Sequence, residues 1–151
     1  MIYLQVSKSV TCPVKPQLFK KAAQATLDQQ ASSPPIPANL TIVLTDDEHI
    51  RTLNRDFLGI DAPTDVLAFP AEVTDPETQS LYLGDVLISL PRAQAQAKKH
   101  PLAAELQLLV VHGVLHLLGH DHAEEADKTR MWQAQQEVLR ELGCEEVAPM
   151  V

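Results

Sequence analysis

Four of the six histidines fall within eleven residues, in the stretch Val111-His112-Gly113-Val114-Leu115-His116-Leu117-Leu118-Gly119-His120-Asp121-His122. His112 and His116 are four apart, so on a helix they project from one face a turn apart, the spacing with which two imidazoles grip one metal ion. Gly119 stops such a helix, and the turn beyond it can return His122 to the same point. Three neutral imidazoles plus an open position describe a catalytic zinc site, so the pattern predicts one Zn2+ per chain held by His112, His116 and His122. For any one of these residues alone, a satisfied core histidine is the competing reading. His120, set between Gly119 and Asp121, is expected as a neighbour of the site. Asp121 is expected to accept the second N–H of a ligand imidazole or to take a proton in catalysis, with a plain surface turn as the alternative.

The residue after the first histidine narrows the chemistry. In the zincin pattern H-E-x-x-H it is the glutamate general base, whereas here it is Gly113, which disfavours a peptidase. Glycine inside a buried helix costs about 1 kcal/mol relative to alanine, so its presence predicts a close approach to the backbone at that point. Without that glutamate, proton removal falls to metal-bound hydroxide, to Asp121, or to a carboxylate such as Asp65 or Asp85 brought in by folding.

The elements that must position these groups are legible in turn. The run Leu106 to Leu118 is apolar on nearly every face and too long for a strand, so it reads as a buried helix ending at Gly119. Ile2 to Val6 and Leu40 to Thr45 alternate as strands, and between them Phe19, Ala22, Ala23, Thr26 and Leu27 make one helical face. Ser32 to Pro37 is a proline-rich loop, not a domain linker. Thr45-Asp46-Asp47-Glu48 reads as a capping box opening a short helix that turns Ile50, Leu53 and Phe57 inward. Val66 to Phe69 reads as a third strand closed by Pro70, followed by an acidic loop from Glu72 to Ser80. Leu81 to Leu90 is a fourth strand in which Gly84 marks a bulge or close backbone contact. Pro91 and Pro101 suit helix starts, and a last helix carries Met131, Ala134, Val138, Leu139 and Leu142 to its stop at Gly143. The order predicts an α+β fold: one small mixed four-stranded sheet with about five helices, in a single domain spanning 1–151.

Composition bounds the rest. A chain of 151 residues supports one ordinary core. The formal net charge of -8 gives no global field drawing phosphates, so any nucleic-acid contact has to be local. Cys12 and Cys144 lie far apart with no C-x-x-C spacing, as expected of inert thiols in a reducing compartment. No signal-like opening and no membrane-length apolar run is seen, so a cytoplasmic protein without membrane contact is expected.

With these residues in view, the chain resembles the YbeY family, bacterial metal-dependent endoribonucleases and ribosomal-RNA maturation factors. The histidine stretch is close to that family's H-G-x-L-H-L-x-G-Y-D-H, with His120 where tyrosine is common. Leu53-Asn54, Asp61, Pro63-Thr64-Asp65-Val66-Leu67 and Phe69-Pro70 resemble its L-N-x-x-Y-R-x-K-D-x-P-T-D-V-L-S-F-P segment, and Gly84-Asp85 with Ile88-Ser89 its G-D-I-x-I-S strand. The resemblance implies zinc on His112, His116 and His122 and a phosphodiester of ribosomal RNA as substrate. It further implies a role in ribosome quality control, with a ribosomal protein or ribosome-associated GTPase as partner. Leu58 stands where that family commonly carries an arginine for RNA handling, and Ile60 where lysine often follows. Leucine cannot hold a phosphate. Leu58 is nevertheless expected near the mouth of the metal cleft, or else packed against Phe57 and the sheet. Two other classes remain: a non-catalytic assembly factor ordered by zinc, favoured by the acidic charge and Leu58, and a metal hydrolase of a non-RNA substrate.

Overall fold

The computed structural model describes residues 1–30, 37–98, 100–121 and 123–144. Strands β1 (Ile2–Val6), β2 (Ala38–Thr45), β3 (Val66–Thr74) and β4 (Leu81–Ser89) form one sheet in the order β1-β2-β4-β3. β1, β2 and β4 are parallel, and β3 adds antiparallel to β4 at the edge, so the sheet is mixed as expected. Five helices accompany it: α1 (Pro16–Gln30), α2 (Asp47–Leu58), α3 (Leu90–Gln96), α4 (Leu102–Leu117) and α5 (Glu125–Leu142).

Alternation along the strands sends side chains to two cores. Ile42, Leu44, Val86 and Ile88 join α1, α4 and α5 in the larger one. Leu67 and Leu87 meet Ile50 of α2 in the smaller, with Val43, Leu53 and Phe69 against them. α2 and α4 therefore lie on opposite faces of the sheet. In α4 the absence of a polar face has a direct cause: Leu106, Val110, Val111, Val114 and Leu115 are all fully buried. Each such side chain contributes roughly 1.5–3 kcal/mol relative to exposure.

Three local differences from the sequence reading have physical reasons. The α2 cap falls at Asp46, whose Oδ1 accepts from the His49 N–H at 2.8 Å, while Thr45 stays in β2. The Thr45 hydroxyl is occupied there by the Ser7 hydroxyl and His49 Nδ1, each at 2.8 Å. β3 runs through Pro70 to Thr74 instead of closing at the proline, because an edge strand has an outward side on which a missing N–H breaks no ladder bond. The Ser32 to Pro37 loop lies, except for Pro37, outside the described residues.

Two glycines are fixed by close contact. Gly84 (φ +132°) lies against β3 so tightly that a Cβ would sit 2.1 Å from the Phe69 carbonyl oxygen. Pairing shifts register beside it, between Asn39 and Leu40 and between Pro70 and Val73. At Gly113 a Cβ would meet Val86 Cγ1 at 2.4 Å and Val66 Cγ2 at 3.3 Å. The close approach expected at this glycine is that of α4 to the sheet.

Gly113→Ala is expected to destabilise the fold by about 1–3 kcal/mol through overpacking, despite alanine's better helix propensity. Urea denaturation of Gly113→Ala, Val86→Ala and the double variant checks the cause. The double variant should lose less than the sum of the single losses, because the shorter side chain at position 86 makes room for the new methyl.

Candidate metal centre

The C-terminal half of α4 and the first residues of β3 border a cleft of about 390 Å3. His112, Gly113 and His116 form one wall, and Thr64 to Ala68 with Pro70 form the other. The β3 wall is held by the segment before it. Gly59 (φ +74°) stops α2 with its N–H on the Arg55 carbonyl, and Asn54 Nδ2 donates to the Ala62 carbonyl at 2.9 Å. Arg51 grips Asp61 with bonds of 2.8 and 3.3 Å, and the Ser89 N–H donates to the Asp65 carbonyl at 2.9 Å.

Helical spacing brings His112 and His116 together as expected. Their Nε2 atoms are 3.1 Å apart, and the rings meet edge to face with centroids at 4.7 Å. His112 Nδ1 lies 3.1 Å from Oε1 of Gln135, a fully buried side chain of α5. An amide oxygen only accepts, so Nδ1 is the protonated nitrogen and the lone pair sits on Nε2, facing His116. Two imidazole nitrogens so converged either share a proton or present both lone pairs to one cation. In donor type the imidazole nitrogen pair suits zinc, with the outer N–H of His112 already oriented, and it makes two of the three protein ligands that an open zinc site takes.

The other expected site residues stand as follows. His122 lies outside the described residues, and among the described residues no group of three or more His, Cys, Asp or Glu side chains is placed to hold a metal ion. Gly119 (φ +97°) ends the helix as expected, with its N–H on the His116 carbonyl at 3.0 Å. Asp121 is exposed and borders a different depression, shared with His120, Asp127 and Arg130. Leu58 is 55% exposed at the end of α2, across the sheet from α4, and does not border the cleft. It neither sits at the mouth nor packs inward. Phe57 turns away from the core instead of into it, 70% exposed, with its ring 5.7 Å from that of Phe69.

Gln135 stands beside His112 and Glu105 beside His100 without having been expected from the sequence. A polar residue within the apolar stripe of α5, between Met131 and Val138, was the available sign of the first. Glu105 precedes His112 by two helical turns and so shares its face. It is buried, and His100 Nε2 lies 2.8 Å from its Oε1. Loss of solvent raises its pKa above the usual carboxylate range, and the Asp65 charge adds to the rise, against the opposing effect of His100.

Comparison with known proteins gives the family and the fold. Residues 5–143 match the family described as Endoribonuclease YbeY. The endoribonuclease YbeY of Synechococcus sp. (strain JA-3-3Ab) is 52% identical over 111 residues, covering 68% of each chain. That of Chloroflexus aurantiacus (strain ATCC 29366 / DSM 635 / J-10-fl) is 41% identical over 154 residues, covering 95% of this chain and 97% of its own. The solution structure of TM1509 from Thermotoga maritima shares the fold, with a TM-score of 0.61 at 24% identity over 97% of this chain and 91% of that one. The chain is an α+β protein of a nuclease family, and it belongs to the YbeY family. Among the described residues no helix is long and apolar enough to cross a membrane.

A carboxyl that holds its proton more tightly in the native chain makes the native state the better proton binder. Its stabilising contribution is complete below the unfolded pKa and is lost as pH rises through the higher native value. Glu105→Gln removes that slope, so urea denaturation followed from about pH 4 upward should show the variant gaining on the wild type as pH rises. A difference constant with pH would mean that Glu105 titrates alike in both states.

Proposed function

We propose that this chain is a zinc-dependent endoribonuclease acting in ribosomal RNA maturation and ribosome quality control, with His112, His116 and His122 holding the ion. The carrying observation is the 3.1 Å convergence of the His112 and His116 Nε2 atoms at a cleft, in a chain of the YbeY family. When bound, Zn2+ supplies Lewis acidity toward a phosphodiester oxygen and lowers the pKa of a coordinated water. The chain's own residues supply orientation. Gln135 fixes the tautomer of His112, Gly113 lets α4 lie against the sheet, and the braced Ala62 to Asp65 segment holds the opposite wall rigid, which limits the positional freedom of a bound strand.

RNA as substrate is supported by the relatives, which are named endoribonucleases. With a net charge of -8, attraction to phosphate has to come from the site and not from the global field. Ribosomal RNA in the cytoplasm is the proposed setting, with a ribosomal protein or ribosome-associated GTPase as protein partner. A second reading, a non-catalytic assembly factor stabilised by zinc, is favoured by the exposed side chains of Phe57, Leu58 and Ile60, an apolar group of the kind that marks protein contacts.

Purified protein incubated with ribosomal RNA separates the two. Cleavage that stops with chelator, returns with added Zn2+ and is absent in His116→Ala is the expected result. Cleavage indifferent to chelator would remove the metal from the reaction. Binding without cleavage in the zinc-loaded wild type would establish the assembly factor instead.

A further inference from the structure

We propose that Asp65 is the general base of the cleft, the group that takes the proton from the water attacking a phosphodiester; this rests on the phosphodiester reading above. Among the described residues that border the cleft it is the one carboxylate, and it stands on the wall opposite His112 and His116. Its backbone is anchored by the Ser89 N–H at 2.9 Å, at the point where the chain enters β3. Its oxygens each take a single long bond, Oδ1 from the Thr64 hydroxyl and Oδ2 from Gln96 Nε2, both at 3.4 Å. A carboxylate has about four accepting positions, so these neutral donors orient Asp65 and leave it room to hold a water. Proximity of an oriented base to a nucleophile is what general-base catalysis requires.

The other carboxylates considered are committed elsewhere. Asp85 takes the Tyr82 hydroxyl, which is itself 2.6 Å from the Thr41 hydroxyl, and does not border the cleft. Glu105 is buried against His100. Asp121 borders the separate depression beyond Gly119.

The step balances as a hydrolysis. The water oxygen forms a bond to phosphorus while one of its protons passes to an Asp65 Oδ. The bond from phosphorus to the departing sugar oxygen breaks, its electron pair leaving on that oxygen. Asp65 returns the proton there. One water is consumed, a phosphomonoester and a hydroxyl are produced, and Asp65 is again a carboxylate.

The test assays zinc-loaded wild type, Asp65→Asn, Asp65→Ala and Asp85→Asn on ribosomal RNA and on bis(4-nitrophenyl) phosphate. Metal content and melting temperature are measured alongside. Loss of the base should lower kcat about 10²–10⁴-fold in both Asp65 variants on every substrate the wild type cleaves, with metal content unchanged and Asp85→Asn active. Added formate should restore part of the Asp65→Ala rate, which replacing a merely structural carboxylate would not do. Asp65 variants within threefold of wild type, or a loss that formate leaves untouched and that follows loss of metal or of folded protein, overturn the proposal. A wild type that cleaves the small diester but not RNA refutes the RNA reading while the Asp65 comparison still decides. A wild type that cleaves neither overturns both.

Discussion

The approach of α4 to the sheet at Gly113 is the contact on which the site depends. With 2.4 Å between the place of a Cβ and Val86 Cγ1, and 3.3 Å to Val66 Cγ2, only a hydrogen fits there. His112 precedes that glycine by one residue and His116 follows it by three, so both imidazoles are carried to the edge of the β3 wall by a backbone that cannot back away. The large apolar face of α4 supplies the driving force, since burial is favourable and non-directional. The glycine turns that force into a defined distance. Its cost in helix propensity, about 1 kcal/mol, is small beside the burial of the neighbouring valines and leucines.

Polar groups inside such a helix have to be satisfied, because an unpaired buried donor or acceptor costs about 1–3 kcal/mol. Gln135 answers this for His112 from α5, and His100 does so for Glu105. The same pairing that makes burial tolerable fixes a tautomer, and the fixed tautomer is what leaves the Nε2 lone pair facing the cleft. Stability and chemistry are here served by one hydrogen bond. The opposite wall is held independently, through Asn54, the Arg51–Asp61 pair and Ser89. The two walls thus belong to different parts of the chain and meet where α4 packs on the sheet.

Much of this was written in local patterns. The four-residue spacing of His112 and His116, the helix stop at Gly119 and the apolar run before them defined α4 without reference to anything distant. The alternation of β1 and β2 and the order of elements defined the mixed sheet. Features set by tertiary contact were less legible. Whether Leu58 faces the cleft depends on which side of the sheet α2 packs, and a strand pattern shows two faces without saying which helix takes which. The continuation of β3 past Pro70 depends on its place at the edge, a property of strand order. Asp65 was one of three carboxylates that the sequence left equal, and its place on the cleft wall separates it from Asp85, which takes the Tyr82 hydroxyl, and from Asp121, which borders another depression.

If imidazoles carried by and just beyond α4 hold one zinc ion, X-ray absorption at the zinc edge of the purified protein reads their nitrogen atoms as ligands. About one Zn2+ per chain is expected, with a shell of nitrogen and oxygen ligands at about 2.0–2.1 Å that includes imidazole scattering and no sulfur. Zinc content should fall sharply in His112→Ala. Stoichiometric zinc with ligands at about 2.3 Å, the distance of thiolate sulfur, or zinc content unchanged in both His112→Ala and His116→Ala, would contradict this assignment.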